Sequence, residues 1–270
     1  MPIRLFLLLI GWLLAGQALA ASLTVALGTQ SRTWQSAELL RHPQARTLHI
    51  PDDVAYKRGM TYRVVPVAAL LPGLTAQDHV QAVALDGFAA ELPAAPLLAT
   101  GKTRAWLAVE DPAHPWPPLA PGKPSAGPFY LIWSEPAAGH IGPEQWPFQI
   151  ASLRQLASVA ERFPAMRPDP ALAADDPVNR GFALFQKNCL ACHRLNGQGD
   201  AQFGPDLNIP FSPTEYFSQG FLQRYIRDPQ AMRRWPQAKM PGFSAQVLPD
   251  EELSLLVGYL QHMAGRKAGQ

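Results

Sequence analysis

CLACHRLNGQG, residues 189–199, contains both cysteines of the chain, separated by two residues, with a histidine directly after the second. Its reading depends on where the protein folds. The chain opens MPIRLFLLLIGWLLAGQALA. Arg4 gives a positive start, Leu5 to Leu14 an apolar stretch, and Ala18-Leu19-Ala20 a small-residue cleavage pattern. These predict a signal peptide over residues 1–20. The alternative is an uncleaved anchor, but the apolar stretch is shorter than the roughly 20 residues a membrane-spanning helix needs. On either reading the bulk of the protein lies outside the cytoplasm. There two cysteines usually mean a disulfide. A bridge across two residues closes a loop too small to restrict the unfolded chain much, so this pair is a poor staple.

Cys-x-x-Cys-His is also the attachment signature of c-type haem. Each thiol adds to one haem vinyl group and forms a thioether. On a helical turn Cys189 and Cys192 share one face, and His193 then projects its imidazole toward the iron. A thiol redox pair of the thioredoxin kind is the alternative, and the adjacent histidine favours haem. Such attachment is made outside the cytoplasmic membrane, in agreement with the N-terminus.

From these residues outward, 177–265 resembles a single-haem class I cytochrome c domain. DDPVNRGFALFQKNCLACH resembles that family's N-terminal helix, with Asp176 able to cap it and Pro177 suited to its first turn. LPDEELSLLVGYLQHM resembles its C-terminal helix. Asp250, Glu251 and Glu252 sit where the helix dipole favours them, and Leu253, Leu256, Val257 and Leu260 form the apolar stripe. The resemblance implies that the two helices cross, glycine against aromatic, with Gly181 near Tyr259 and Phe185 close by. It also implies Met240, in KMPGF, as the second axial ligand of the iron beside His193. Met232, just past a predicted helix in EYFSQGFLQRYIRDP (215–229), reads as packing. Met263 and His262 end the last helix. GPDL (204–207) resembles the family's turn in which the carbonyl at Pro205 accepts a hydrogen bond from the proximal histidine and tunes it. Trp235 either hydrogen-bonds a haem propionate or anchors its loop. His/Met ligation raises the potential and fills both axial positions, which implies single-electron transfer without bond chemistry.

Residues 21–160 differ in composition. SLTVALG, ARTLHIP, TYRVVPV, HVQAVALDGFAAELP, RAWLAVED and GPFYLIW read as strands, and SAELLRH and PVAALLPG as short helices. This predicts a mixed, strand-rich α+β domain, joined by a linker over 161–176 (within ERFPAMRPDPALAADDP) to an all-α cytochrome c domain. VPVAALLPG (65–73), LDGFAAELP (85–93) and SAGPFYLIW (125–133) resemble segments of the pterin-binding fold of the sulfite oxidase family. That family's enzymes hold molybdenum through a cysteine thiolate in this domain. Here both cysteines lie in the haem motif, so the expectation is a fold kept without molybdopterin. The proline-rich stretch 110–128 reads as a braced surface loop rather than a docking loop presenting His114 and Trp116.

The length suits one or two domains. With 28 prolines in 270 residues, the composition argues for long turns and extended segments rather than a single helical bundle. The formal charge of +2 falls to +1 without residues 1–20, where Arg4 is the only charge, and there is no basic stripe, so nucleic acid is excluded as a partner. The expectation is a periplasmic electron carrier, not itself an enzyme, with one covalent haem. It would dock transiently on periplasmic or membrane-bound redox proteins and keep no membrane span after cleavage. The alternative is the haem subunit, or electron-accepting domain, of a molybdopterin-type oxidoreductase.

Overall fold

The computed structural model describes residues 21–269 apart from 233, 235, 236, 238 and 239. The expected signal peptide over 1–20 lies outside the described residues. Among those described, no helix is long and apolar enough to cross a membrane.

The first half is built from two sheets. Strands β1 (Ser22–Leu27), β2 (Gln30–Gln35), β5 (His79–Ala84), β6 (Ala89–Pro93) and β9 (Ile150–Leu156) form one, in the order β2-β1-β9-β5-β6. Strands β3 (Arg46–Ile50), β4 (Met60–Pro66), β7 (Arg104–Val109) and β8 (Phe129–Ser134) form the other, in the order β3-β4-β7-β8. Helices α1 (Ser36–Leu40) and α2 (Ala94–Leu98) are short. HVQAVALDGFAAELP, read above as one strand, is a hairpin. It turns at Gly87, whose φ of +90° suits glycine, with Ala84 N–H bonded to the Phe88 carbonyl. Trp106, Trp133, Tyr62, Tyr130 and Phe129 are fully buried.

The proline-rich stretch is braced from within. Trp116 packs edge-on against Tyr62 at 4.9 Å, and Tyr56 Oη donates to the Pro117 carbonyl at 3.0 Å. Glu110 Oε1 accepts from Trp116 N–H at 2.7 Å and from Ser125 Oγ at 2.8 Å. Beneath it, buried Asp53 accepts from Tyr62 Oη at 2.7 Å and from the backbone N–H groups of Ala55 and Tyr56. Trp116 is therefore a packing residue, and only His114 is exposed.

The second half is helical. It comprises α3 (Val159–Arg162), α4 (Pro177–Asn188), α5 (Pro213–Tyr216), α6 (Gln219–Arg227), α7 (Pro229–Met232) and α8 (Asp250–Ala264). Asp176 Oδ1 accepts from Val178 N–H at 2.8 Å and Pro177 occupies the first turn, so α4 starts where its cap dictates. A Cβ at Gly181 would sit 2.2 Å from the Leu255 carbonyl oxygen and 2.7 Å from Tyr259 Cβ. Phe182 and Phe185 flank the Tyr259 ring at 5.3 and 5.4 Å.

The stretch 161–176 is not a bare linker. Tyr259 Oη donates to the Met166 carbonyl at 2.7 Å, and Val159 and Met166 are fully buried in the helical core. Prolines, alanines and aspartates surround Met166 in the sequence and hide it. The two halves meet through a polar network. Arg162 bonds Glu91 at 2.7 Å and Asp200 at 2.9 Å, and Gln81 Nε2 donates to Asp200 at 2.7 Å. Burial alone would raise the Glu91 carboxyl. Hydrogen bonds from His79 and Arg162 outweigh it and hold that group below the usual carboxylate range.

Replacing Gly181 by alanine pushes a methyl group into the α8 backbone and is expected to cost about 1–3 kcal/mol. Gly220 has nothing within 4 Å of an added Cβ, and Gly220→Ala is expected to be neutral or to stabilise by up to about 1 kcal/mol. Urea denaturation followed by circular dichroism checks both; equal midpoints for the two variants would contradict the close crossing.

Candidate haem-attachment site

The attachment turn begins where α4 ends. Cys189 is the helix cap, and its carbonyl accepts from Cys192 N–H at 3.1 Å and from His193 N–H at 2.9 Å. One tight turn thus carries both sulfurs and the imidazole. The cysteines are reduced, unpaired with each other and half-buried. Burial, with the nearby Glu144 adding to it, raises both thiols, that of Cys192 to about 12. A redox-active dithiol needs the opposite shift, toward thiolate.

His193 Nδ1 lies 2.8 Å from the Pro205 carbonyl oxygen. A carbonyl only accepts, so Nδ1 carries the proton and Nε2 keeps its lone pair free. Burial pushes the imidazole below its usual value, against the pull of that hydrogen bond, which keeps the ring neutral and able to ligate. Gly204 makes this approach possible. A Cβ there would stand 2.5 Å from His193 Cε1 and 2.6 Å from Nδ1. The loop beyond is knotted by Asp206, whose carboxylate accepts backbone N–H bonds from Asn196, Gly197, Asn208 and Ile209. Buried Asn208 ties it to α8 through the Met263 carbonyl at 2.7 Å.

Met240 is half-buried at the edge of the helical core. The segment after it is pinned. Phe243 N–H bonds the Ile226 carbonyl at 3.1 Å, Arg227 Nη1 donates to the Phe243 carbonyl at 2.8 Å, and a Cβ at Gly242 would strike the Arg227 carbonyl at 2.5 Å. Trp235 lies outside the described residues.

Two free thiols three residues apart and a neutral imidazole with an open Nε2 fit a covalently held haem. Cys189 and Cys192 would carry the ring and His193 would meet the iron. Among the described residues, no group of three or more His, Cys, Asp or Glu side chains comes together as a further metal site.

Sequence reading missed Glu144. It stands in a short turn of the first half (Pro143–Gln145), yet its Oε2 lies 3.9 Å from Cys192 Sγ. Burial lifts its carboxyl to about 7, and no basic side chain among the described residues pairs with it. Around it the halves interlock: Lys187 Nζ donates to the His140 carbonyl at 2.6 Å, and a Cβ at Gly142 would meet Val247 at 2.9 Å. Nothing in the sequence around Glu144 signals this contact. Gly204, by contrast, was within sight in the GPDL turn.

Residues 178–264 match the cytochrome c family model. The helical half is a cytochrome c domain, fused behind a strand-rich half. Among solved structures, the sulfane dehydrogenase SoxCD from Paracoccus pantotrophus is similar at 15% identity and a TM-score of 0.36, over 53% of this chain and 40% of that one. The chain thus spans well under half the length of that structure's chain. No curated protein matches it.

The Glu144 shift gives a pH dependence in the haem-free chain. Between the unfolded value of 4.5 and the folded value of about 7, the unfolded chain loses a proton that the folded chain keeps. Stability is therefore full below 4.5 and is lost as pH rises through about 7. Glu144→Gln cannot ionise. It is expected to match the wild type near pH 4 and to exceed it by up to about 3 kcal/mol at pH 8. Urea titrations of both proteins at the two pH values check this; parallel curves would contradict it.

Proposed function

We propose that this protein is an exported c-type cytochrome that carries single electrons through one haem, whose iron His193 and Met240 would ligate. The observation that carries the reading is the attachment turn: two free thiols and an imidazole whose Nδ1 is already committed to Pro205. A haem held there supplies one-electron redox chemistry. Cys189 and Cys192 fix its position. His193, oriented by the Pro205 carbonyl and crowded by Gly204, presents Nε2 from one side. Met240 would offer its thioether from just before the pinned segment at Gly242 and Phe243, which would favour the reduced state. With both residues ligating, the iron would have no place left for a substrate, and electrons would pass through weak, transient docking on other redox proteins.

The N-terminal sequence supports export to the periplasm. The chain has no cysteine beyond the haem pair, which supports a strand-rich half that holds no molybdenum. Met240→Ala tests the ligation. The reduced wild type is expected to keep its absorption spectrum under carbon monoxide, while the variant binds the gas and its potential falls. A wild type that binds carbon monoxide as the variant does would overturn Met240 as a ligand and favour a gas-binding role.

A further inference from the structure

Away from the haem site, the four-stranded sheet gathers two arginines on one tryptophan. Arg46 on β3 stands opposite Val64 on β4, and Pro66 on β4 stands opposite Trp106 on β7. With the two-residue period of a strand, Arg46, Pro66, Trp106 and Arg104 share one face. The guanidinium carbons of Arg46 and Arg104 lie 3.9 and 4.6 Å from the Trp106 ring centroid, and both side chains line one cavity. Together with Gln44 these four residues line a cavity of about 240 Å³ whose wall contains no acid.

The charges in this cavity are unanswered. Arg162, Arg227 and Arg266 each meet a carboxylate. Among the described residues Arg46 and Arg104 meet none. Like charges on one wall repel. Simple shielding of the Trp106 ring by arginine stems would explain the stacking. It does not explain two guanidiniums on one acid-free wall with no carboxylate partner. An oxyanion in the cavity supplies the negative charge, with acceptor oxygens that match the planar forks. The indole beneath holds the forks in place by cation–π attraction.

We propose that Gln44, Arg46 and Arg104 form a binding site for a small free oxyanion, floored by Trp106. The strand-rich half then has a ligand of its own, independent of the haem reading.

Calorimetric titration of the full haem-loaded chain with sulfate, phosphate and acetate, at constant ionic strength in chloride, tests the site and distinguishes the anion types. The expected result is saturable binding of one equivalent of at least one anion. Arg46→Met and Arg104→Met each weaken it at least about tenfold, and the exposed control Arg58→Met leaves it unchanged. Arg104→Lys keeps the charge but loses the fork, and is expected to bind more weakly than the wild type. Arg46 is exposed, so its variant keeps the test open if Arg104→Met fails to fold. No saturable binding of any of the three anions, or binding that Arg46→Met leaves intact, would overturn the proposal.

Discussion

At Gly181 the backbones of α4 and α8 come closer than any side chain would allow, and the haem half is arranged around that contact. A Cβ there would lie 2.2 Å from the Leu255 carbonyl oxygen. With the crossing fixed, Phe182 and Phe185 close on Tyr259, and the Tyr259 hydroxyl fastens the incoming chain at the Met166 carbonyl. The end of α4 then delivers Cys189, and the end of α8 receives Asn208 from the loop that follows His193. The attachment turn is thus held from both sides by two helices whose relative placement one glycine sets. Small residues at a helix crossing let packing and backbone approach reinforce each other, where a larger side chain would force one helix away.

The strand-rich half reaches into the same site. Glu144 approaches Cys192 Sγ, His140 accepts from Lys187, and Gly142 packs against Val247. Farther along the junction, Arg162 joins Glu91 to Asp200. The Arg162–Glu91 pair is polar and largely buried, so removing one partner strands the other in a poorly solvated place. The first half therefore contributes to the surroundings of the attachment turn, whatever ligand it takes itself.

Much of the haem half was legible in the sequence because its signals are local. A five-residue motif, an Asp-Pro cap and a helical stripe each act over a few positions, and α4 and α8 stand where these signals put them; the Gly181–Tyr259 contact and the His193–Pro205 hydrogen bond stand where the cytochrome c resemblance implied them. What was missed depends on partners far away in the chain. Strand β9 lies between β1 and β5, with Leu153 opposite both Val25 and Ala82, and no pattern within IASLRQL announces that. Strand β2, QSRTWQ, buries only Trp34, too little alternation to read. Met166 looked like part of a proline-rich linker until Tyr259 supplied its partner, and Glu144 has no local mark of its place beside Cys192.

The central claim is that Cys189 and Cys192 hold a haem covalently. Extraction of the purified, denatured protein with acidified organic solvent, followed by intact-mass and peptide-mass measurement, tests it most directly. The account predicts one haem per chain that stays with the polypeptide and maps to the peptide containing both cysteines. A polypeptide recovered at its unmodified mass, with the haem absent or wholly in the solvent, would contradict it.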